Sequence, residues 1–143
     1  MEKSFYLDSN IFIFAYCDDK KDGAICRNIV ELATNNKIKI FTSTLTFDEV
    51  FNKITKLKDK KFALIVSKLF LNLKNLNFIN ADLEIINYSH SLLEKYDLGP
   101  RDAIHLACAL SKGINNIISN DKDFDKIPEI KRFDIKDAHK ILK

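Results

Sequence analysis

Along the chain, short apolar runs give way repeatedly to longer stretches in which apolar residues return every three or four positions. Ser4–Leu7 predicts a first strand. The chain then passes three polar residues, Asp8, Ser9 and Asn10, and re-enters an apolar run from Ile11 to Cys17, predicting a short helix from about Asn10. Residues 22–36 carry Ile25, Ile29, Leu32 and Ala33 at helical spacing, and IKIFTS, residues 38–43, predicts a second strand rich in β-branched side chains. Two helices are expected over Thr46 to about Lys58 and Lys61 to about Leu73. A third strand is expected at LNFIN, and a further helix is marked by Leu83, Ile86, Leu92 and Leu93. Pro100 opens and Gly113 closes a strong helix, RDAIHLACALSKG, the favoured arrangement of these two residues. NNIIS and IKRFDI predict a fourth and a short fifth strand.

Strands separated by helices imply parallel pairing through right-handed crossovers. The expected class is α/β: a three-layer α/β/α sandwich around a central, mostly parallel sheet of four to five strands. No repeat, linker or low-complexity tract interrupts the pattern, so residues 1–143 are expected to form one domain. In such sheets ligands bind beyond the carboxyl ends of the strands.

Composition narrows the class. Hydrophobic residues make up 46% and charged residues 30%, the balance of a soluble globular protein. The longest apolar run, Ile11 to Cys17, is far short of a membrane span, and the N-terminus lacks the layout of a secretory signal, so a cytoplasmic protein with no membrane partner is expected. Cys17, Cys26 and Cys108 are odd in number and widely spaced, which suits reduced thiols, and His90, His105 and His139 do not complete a zinc site. The net charge is only +3, but residues 51–75 hold seven lysines and one acid. That segment is either a solvated helix face or a surface for a polyanion.

Four acids stand out: Asp8 at the end of the first strand, Glu49 after the second, Asp102 at the start of the Pro100 helix, and Asp121 after the fourth strand. Each has a structural explanation. Asp8 could cap a helix, Thr46 and Glu49 have capping-box spacing, Asp102 suits a helix N-terminus, and Asp121 sits in a polar loop with Asp123 and Asp125. Jointly they favour a site, because carboxylates crowded at one sheet edge repel one another unless a cation lies among them. An all-oxygen donor set suits Mg²⁺ or Mn²⁺, and with a basic segment available for a phosphate backbone the chemistry indicated is metal-dependent phosphodiester hydrolysis.

FYLDSNIFI, TLTFDEV, GPRDAIHLACAL and IISNDKDFDKI together resemble the four acidic motifs of the PIN-domain family, especially its VapC-type toxin ribonucleases, in order and over nearly the whole chain. The resemblance implies a catalytic set of Asp8, Glu49, Asp102 and Asp121, with Asp8, Asp102 and Asp121 holding the metal. Glu49 is matched in preference to Asp48. Asn10 and Ser119 are implied as supports, Asp123 as an auxiliary ligand, and His105 is read as a packing residue. The implied activity is that of an endoribonuclease using Mg²⁺ or Mn²⁺, in which activated water attacks an RNA phosphate and leaves a 5′-phosphate and a 3′-hydroxyl. Lys53, Lys56, Lys60 and Arg101 are the basic residues expected to meet RNA. A toxin would bring a small antitoxin partner and a homodimer, with Phe47, Val50, Phe51, Ile54, Phe62, Ile65, Leu69 and Phe70 either forming the partner surface or, for most of them, ordinary core.

Other readings fit less well. A haloacid-dehalogenase-like phosphatase needs a second Asp where Asn10 stands, a receiver domain needs an acid pair where Ser9 stands, and phosphate-cradling glycine motifs are absent. A PIN-like module that binds RNA or protein without turnover, and a housekeeping RNA-processing nuclease, remain as alternatives.

Overall fold

The computed structural model describes residues 3–143. Its centre is a five-stranded sheet of β1 (Ser4–Leu7), β2 (Lys39–Ser43), β3 (Leu76–Ile79), β4 (Asn116–Ile118) and β5 (Lys131–Phe133). The strand order is β3-β2-β1-β4-β5, and every pairing is parallel. The chain winds outward from β1 through β2 to β3, then crosses back to β4 on the other side of β1. The carboxyl ends of β1 and β4 therefore flank a switch point, the place where an open α/β sheet leaves a crevice.

Alternation along the strands sorts the two faces. Phe5 and Leu7 enter a core built with α1 (Ser9–Cys17), α2 (Lys21–Thr34), α3 (Leu45–Leu57), α4 (Lys60–Leu71) and α7 (Ile135–Leu142). Tyr6 enters the opposite core, with α5 (Leu83–Lys95) and α6 (Pro100–Ser111). Period-two geometry then places Asp8, two residues after Tyr6, toward the α6 side.

Turn chemistry fixes the boundaries. Asp59, Asp82 and Asp134 cap α4, α5 and α7 by accepting from backbone N–H groups. Gly113, at φ +67°, lets the chain leave α6 in a left-handed conformation that a side chain would strain. The expected strands and helices are all present within a few residues. Helix α7 was not anticipated, although Asp134 and Asp137 form a reciprocal capping box at its start. The Thr46–Glu49 capping box does not form: α3 begins at Leu45, and Thr46 Oγ1 instead lies 2.7 Å from Thr42 Oγ1. Glu49 is thereby free for other partners.

Of the apolar residues on α3 and α4, Val50, Ile54 and Phe70 are fully buried, and Phe51 and Phe62 pack against the same core. Phe47, Ile65 and Leu69 are exposed, as are Leu57, Leu64 and Leu71. No described helix is long and apolar enough to cross a membrane. Cys26 and Cys108 are buried and Cys17 half-buried, all three unpaired.

Candidate functional site

Asp8 is where β1 ends and α1 begins. Its carboxylate is 5% exposed and accepts from Ser9 N at 2.8 Å, Ser119 Oγ at 2.6 Å and Asn10 Nδ2 at 3.2 Å. Ser119 follows β4 across the switch point, and its Oγ also accepts from Asp121 N at 3.0 Å. Asn10 and Ser119 thus tie Asp8 to the β4 edge. Asn10 Oδ1 is buried beside them without a protein partner.

Glu49 reaches the same crevice from the first turns of α3. Its Oε1 lies 2.5 Å from His105 Nε2, which is also 3.6 Å from Asp8 Oδ1. The other ring nitrogen, Nδ1, lies 2.6 Å from Tyr6 Oη. His105 is fully buried, and the packing role assigned to it is corrected: both ring nitrogens have polar partners, because one helical turn past Asp102 faces the sheet where Tyr6 and Asp8 project. Burial favours the neutral imidazole, but the Glu49 hydrogen bond and the charges of Asp8, Glu49 and Asp102 outweigh it and raise His105 above its ordinary value. Tyr6 is raised well above its ordinary value by burial first, then by neighbouring Cys108, Asp8 and Glu49, so its hydroxyl keeps its proton.

Asp102 stands in the first turn of α6, after Pro100 at the helix start. It forms a second group with Asp121 and Asp123, whose carboxylate oxygens lie within 4.8 Å of one another, while Asp8, Glu49 and His105 form the first group on the same criterion. At such a separation each ionised pair repels by about 3 kcal/mol at an effective dielectric near 20. Asp102 carries the consequence. Burial, a hydrogen bond to Asp121, and the charges of Asp121 and Asp8 raise its pKa from 3.8 to about 7. Asp121 also caps the 3-10 turn Lys122–Lys126, accepting from Asp123 N at 2.9 Å. The capping explanation for Asp8 is therefore correct locally, Asp121 caps a 3-10 turn where a plain polar loop was the structural explanation, and the same geometry brings both residues to the acid groups.

The sequence-based ligand set of Asp8, Asp102 and Asp121 draws on both groups. All its members are oxygen donors, and the spare Asn10 Oδ1 acceptor lies beside them, so the residues present fit a hard divalent cation. Next to Glu49, a cleft of about 210 Å³ is lined by Ser9, Ile13, Asp48, Asn52, Lys53 and Arg101. Lys53 and Arg101 thus reach the acid site. Lys56 and Lys60 are exposed and do not line this cleft. Tyr6 was missed because a buried aromatic on a first strand carries no sequence mark of a polar role. The His105 signal was available, since a histidine three residues after an N-terminal helix acid shares its face.

The backbone resembles solved structures of toxin–antitoxin proteins. VapBC2 from Rickettsia felis, bound to a promoter DNA fragment, superposes with a TM-score of 0.72 at 20% identity over 92% of this chain and 98% of that one. DNA-bound VapBC from Salmonella typhimurium gives 0.71 at 23% identity over 94% and 99%. Mycobacterium tuberculosis VapC20, a toxin that cleaves the sarcin-ricin loop, gives 0.70 at 14% identity over 85% and 92%. At these identities the likeness is one of fold. No curated protein sequence matches the chain. The model of the PIN domain matches residues 5–130, from β1 to the loop before β5, and the chain belongs to the PIN-domain family.

Proposed function

We propose that this protein is a metal-dependent endoribonuclease using Mg²⁺ or Mn²⁺, and the toxin of a toxin–antitoxin pair. The observation that carries the reading is the convergence of Asp8, Glu49, Asp102, Asp121 and Asp123 at the carboxyl edge of a parallel sheet, with Asp102 raised to about 7 by its neighbours. A fold that places so many acids together gains from a cation and loses without one.

Asp8, Asp102 and Asp121 would hold the ion, with Glu49 beside it and Asp123 as an auxiliary ligand. When bound, such an ion lowers the pKa of water and polarises a phosphoryl oxygen. The protein's own groups do the rest. Asn10 and Ser119 hold Asp8 oriented by donating to it. Lys53 and Arg101, lining the cleft beside Glu49, supply cationic contacts for an RNA backbone. Asp102, raised by burial and by its interaction with Asp121 in the absence of metal, would with Asp121 be among the groups holding the ion.

The family and the fold relatives favour a small antitoxin as partner, and the exposed Phe47, Leu64, Ile65 and Leu69 on α3 and α4 offer apolar surface for it or for a second copy in a homodimer.

The test is cleavage of a labelled structured RNA by wild type and Asp102→Asn in parallel, each with Mn²⁺, Mg²⁺ and chelator. Cleavage by wild type alone, lost with chelator, is expected. Binding without turnover across a broad panel of structured RNAs would replace the nuclease with a binding module. Expression should arrest growth, relieved by co-expressing the adjacent reading frame; harmless overexpression of active enzyme would point to a housekeeping nuclease.

A further inference from the structure

Tyr6 and His105 form a buried pair that the proposed chemistry does not itself use. We infer that Tyr6 is a positioning residue: its hydroxyl hydrogen-bonds His105 Nδ1 and so holds the imidazole with its Nε2–H presented to Glu49 and Asp8. The inference concerns how the acid site is built and rests on the nuclease reading only for its kinetic consequence.

Both residues are fully buried, so water cannot substitute for either partner. The Tyr6 Oη to His105 Nδ1 distance is 2.6 Å, and the rings meet edge-on with centroids 5.7 Å apart. An imidazole tied at Nδ1 can neither rotate nor flip about its Cβ–Cγ bond, and a hydroxyl makes that tie by donating to a bare Nδ1 or accepting from a protonated one. A bare Nε2 would face Glu49 Oε1 at 2.5 Å and Asp8 Oδ1 at 3.6 Å, a repulsive contact among acceptors, so Nε2 carries a proton. With the ring held by the tyrosine, that proton is fixed toward both acids. Glu49 projects from α3 and Asp8 from the end of β1, and His105 on α6 is the link that sets their spacing. This is the arrangement by which outer partners orient the ligands of a metal centre, applied here to carboxylates.

The pair also explains why the crevice needs a tyrosine rather than a phenylalanine at this point of β1. Phe5 and Leu7 fill the opposite core by size alone, whereas Tyr6 carries its hydroxyl to the one imidazole that touches two of the acids. Tyr6→Phe removes a single oxygen and leaves the ring packing in place, so it separates positioning from folding.

The experiment is carried out on full-length protein, first without metal. Long-range ¹H–¹⁵N spectra of the imidazole nitrogens read which of them bears the proton. In wild type, Nε2 is expected to be protonated in a single ring state; in Tyr6→Phe, a second set of imidazole resonances should appear or exchange broadening set in. Isothermal titration with Mn²⁺ should show binding weakened about 10-fold in Tyr6→Phe. On a cleavable RNA, kcat should fall by a similar factor with KM within about twofold, since no substrate contact is lost. His105→Gln, which keeps an amide donor near the Nε2 position, should retain more Mn²⁺ affinity than His105→Leu. A wild-type Nε2 without a proton, or Tyr6→Phe with unchanged imidazole spectra and unchanged Mn²⁺ affinity, overturns the inference. Absence of RNA cleavage by wild type would instead sink the nuclease reading and leave the imidazole result standing.

Discussion

Neutralising Asp102 should stabilise the metal-free protein while destroying its activity, and the pH at which this happens follows from the structure. Asp102 is raised from 3.8 to about 7, so between these values the folded chain holds a proton that the unfolded chain has released. Folding is therefore favoured on the acid side. The stability associated with this group is full below the unfolded value, declines as pH rises through the window, and is lost above about 7. A shift of this size corresponds to about 4 kcal/mol as an upper bound, and because the side chain is half-buried, solvent screening reduces it to roughly 1–2 kcal/mol. Asp102→Asn resembles the protonated acid at every pH. Urea unfolding followed by circular dichroism, with chelator present, should give variant and wild type equal stability below about pH 3.8, where folded and unfolded wild type both hold the proton. Near about pH 8 the variant should be more stable by roughly 1–2 kcal/mol. Acids remote from Asp102 titrate alike in both proteins, and their contributions cancel in the difference. Saturating Mn²⁺ should then reverse the order, since an ion at 100 times its Kd adds about 2.7 kcal/mol to a protein that binds it. A difference between the two proteins that is flat across this range, or a variant less stable near about pH 8, would refute the account of a repelled carboxylate.

Other outcomes follow from particular contacts. Asp8→Asn should abolish RNA cleavage with an unchanged circular dichroism spectrum, and full activity would remove Asp8 from the site. Lys53→Ala and Arg101→Ala should each weaken RNA binding and lower the salt slope of log K by about one, whereas Lys60→Ala, outside the cleft, should leave both unchanged; filter binding at several salt concentrations decides this. Gly23→Ala should cost about 2–4 kcal/mol in urea unfolding, because a Cβ there would sit 1.9 Å from the Asp18 carbonyl oxygen, while Gly23 N is already bonded to Asp18 Oδ2. An unchanged midpoint would show that the α1–α2 corner can open.

The order of strands and helices was legible because its signals are local. Period-two and period-3.6 patterns, Pro100, Gly113 and the polar break at Asp8–Asn10 each act within a few residues, and parallel connection follows from the alternation. The four acids were legible for the same reason: strand ends are visible in sequence, and strand ends are where this fold builds a site. Helix α7 escaped although its capping box is local, because it follows a short edge strand and offers few apolar positions. What the sequence left undetermined depends on distance in space. Whether Thr46 would cap α3 or turn inward to Thr42 was decided by packing against β2, and that freed Glu49 for His105. Whether His105 was core or site depended on which face of the sheet α6 covers, a choice that brings residues from β1, α3 and α6 to one imidazole. The raised Asp102 belongs to the same class, since its pKa is a sum over burial and over charges that lie far apart along the chain. Local pattern specifies the elements, and only their juxtaposition sets the electrostatics of the site.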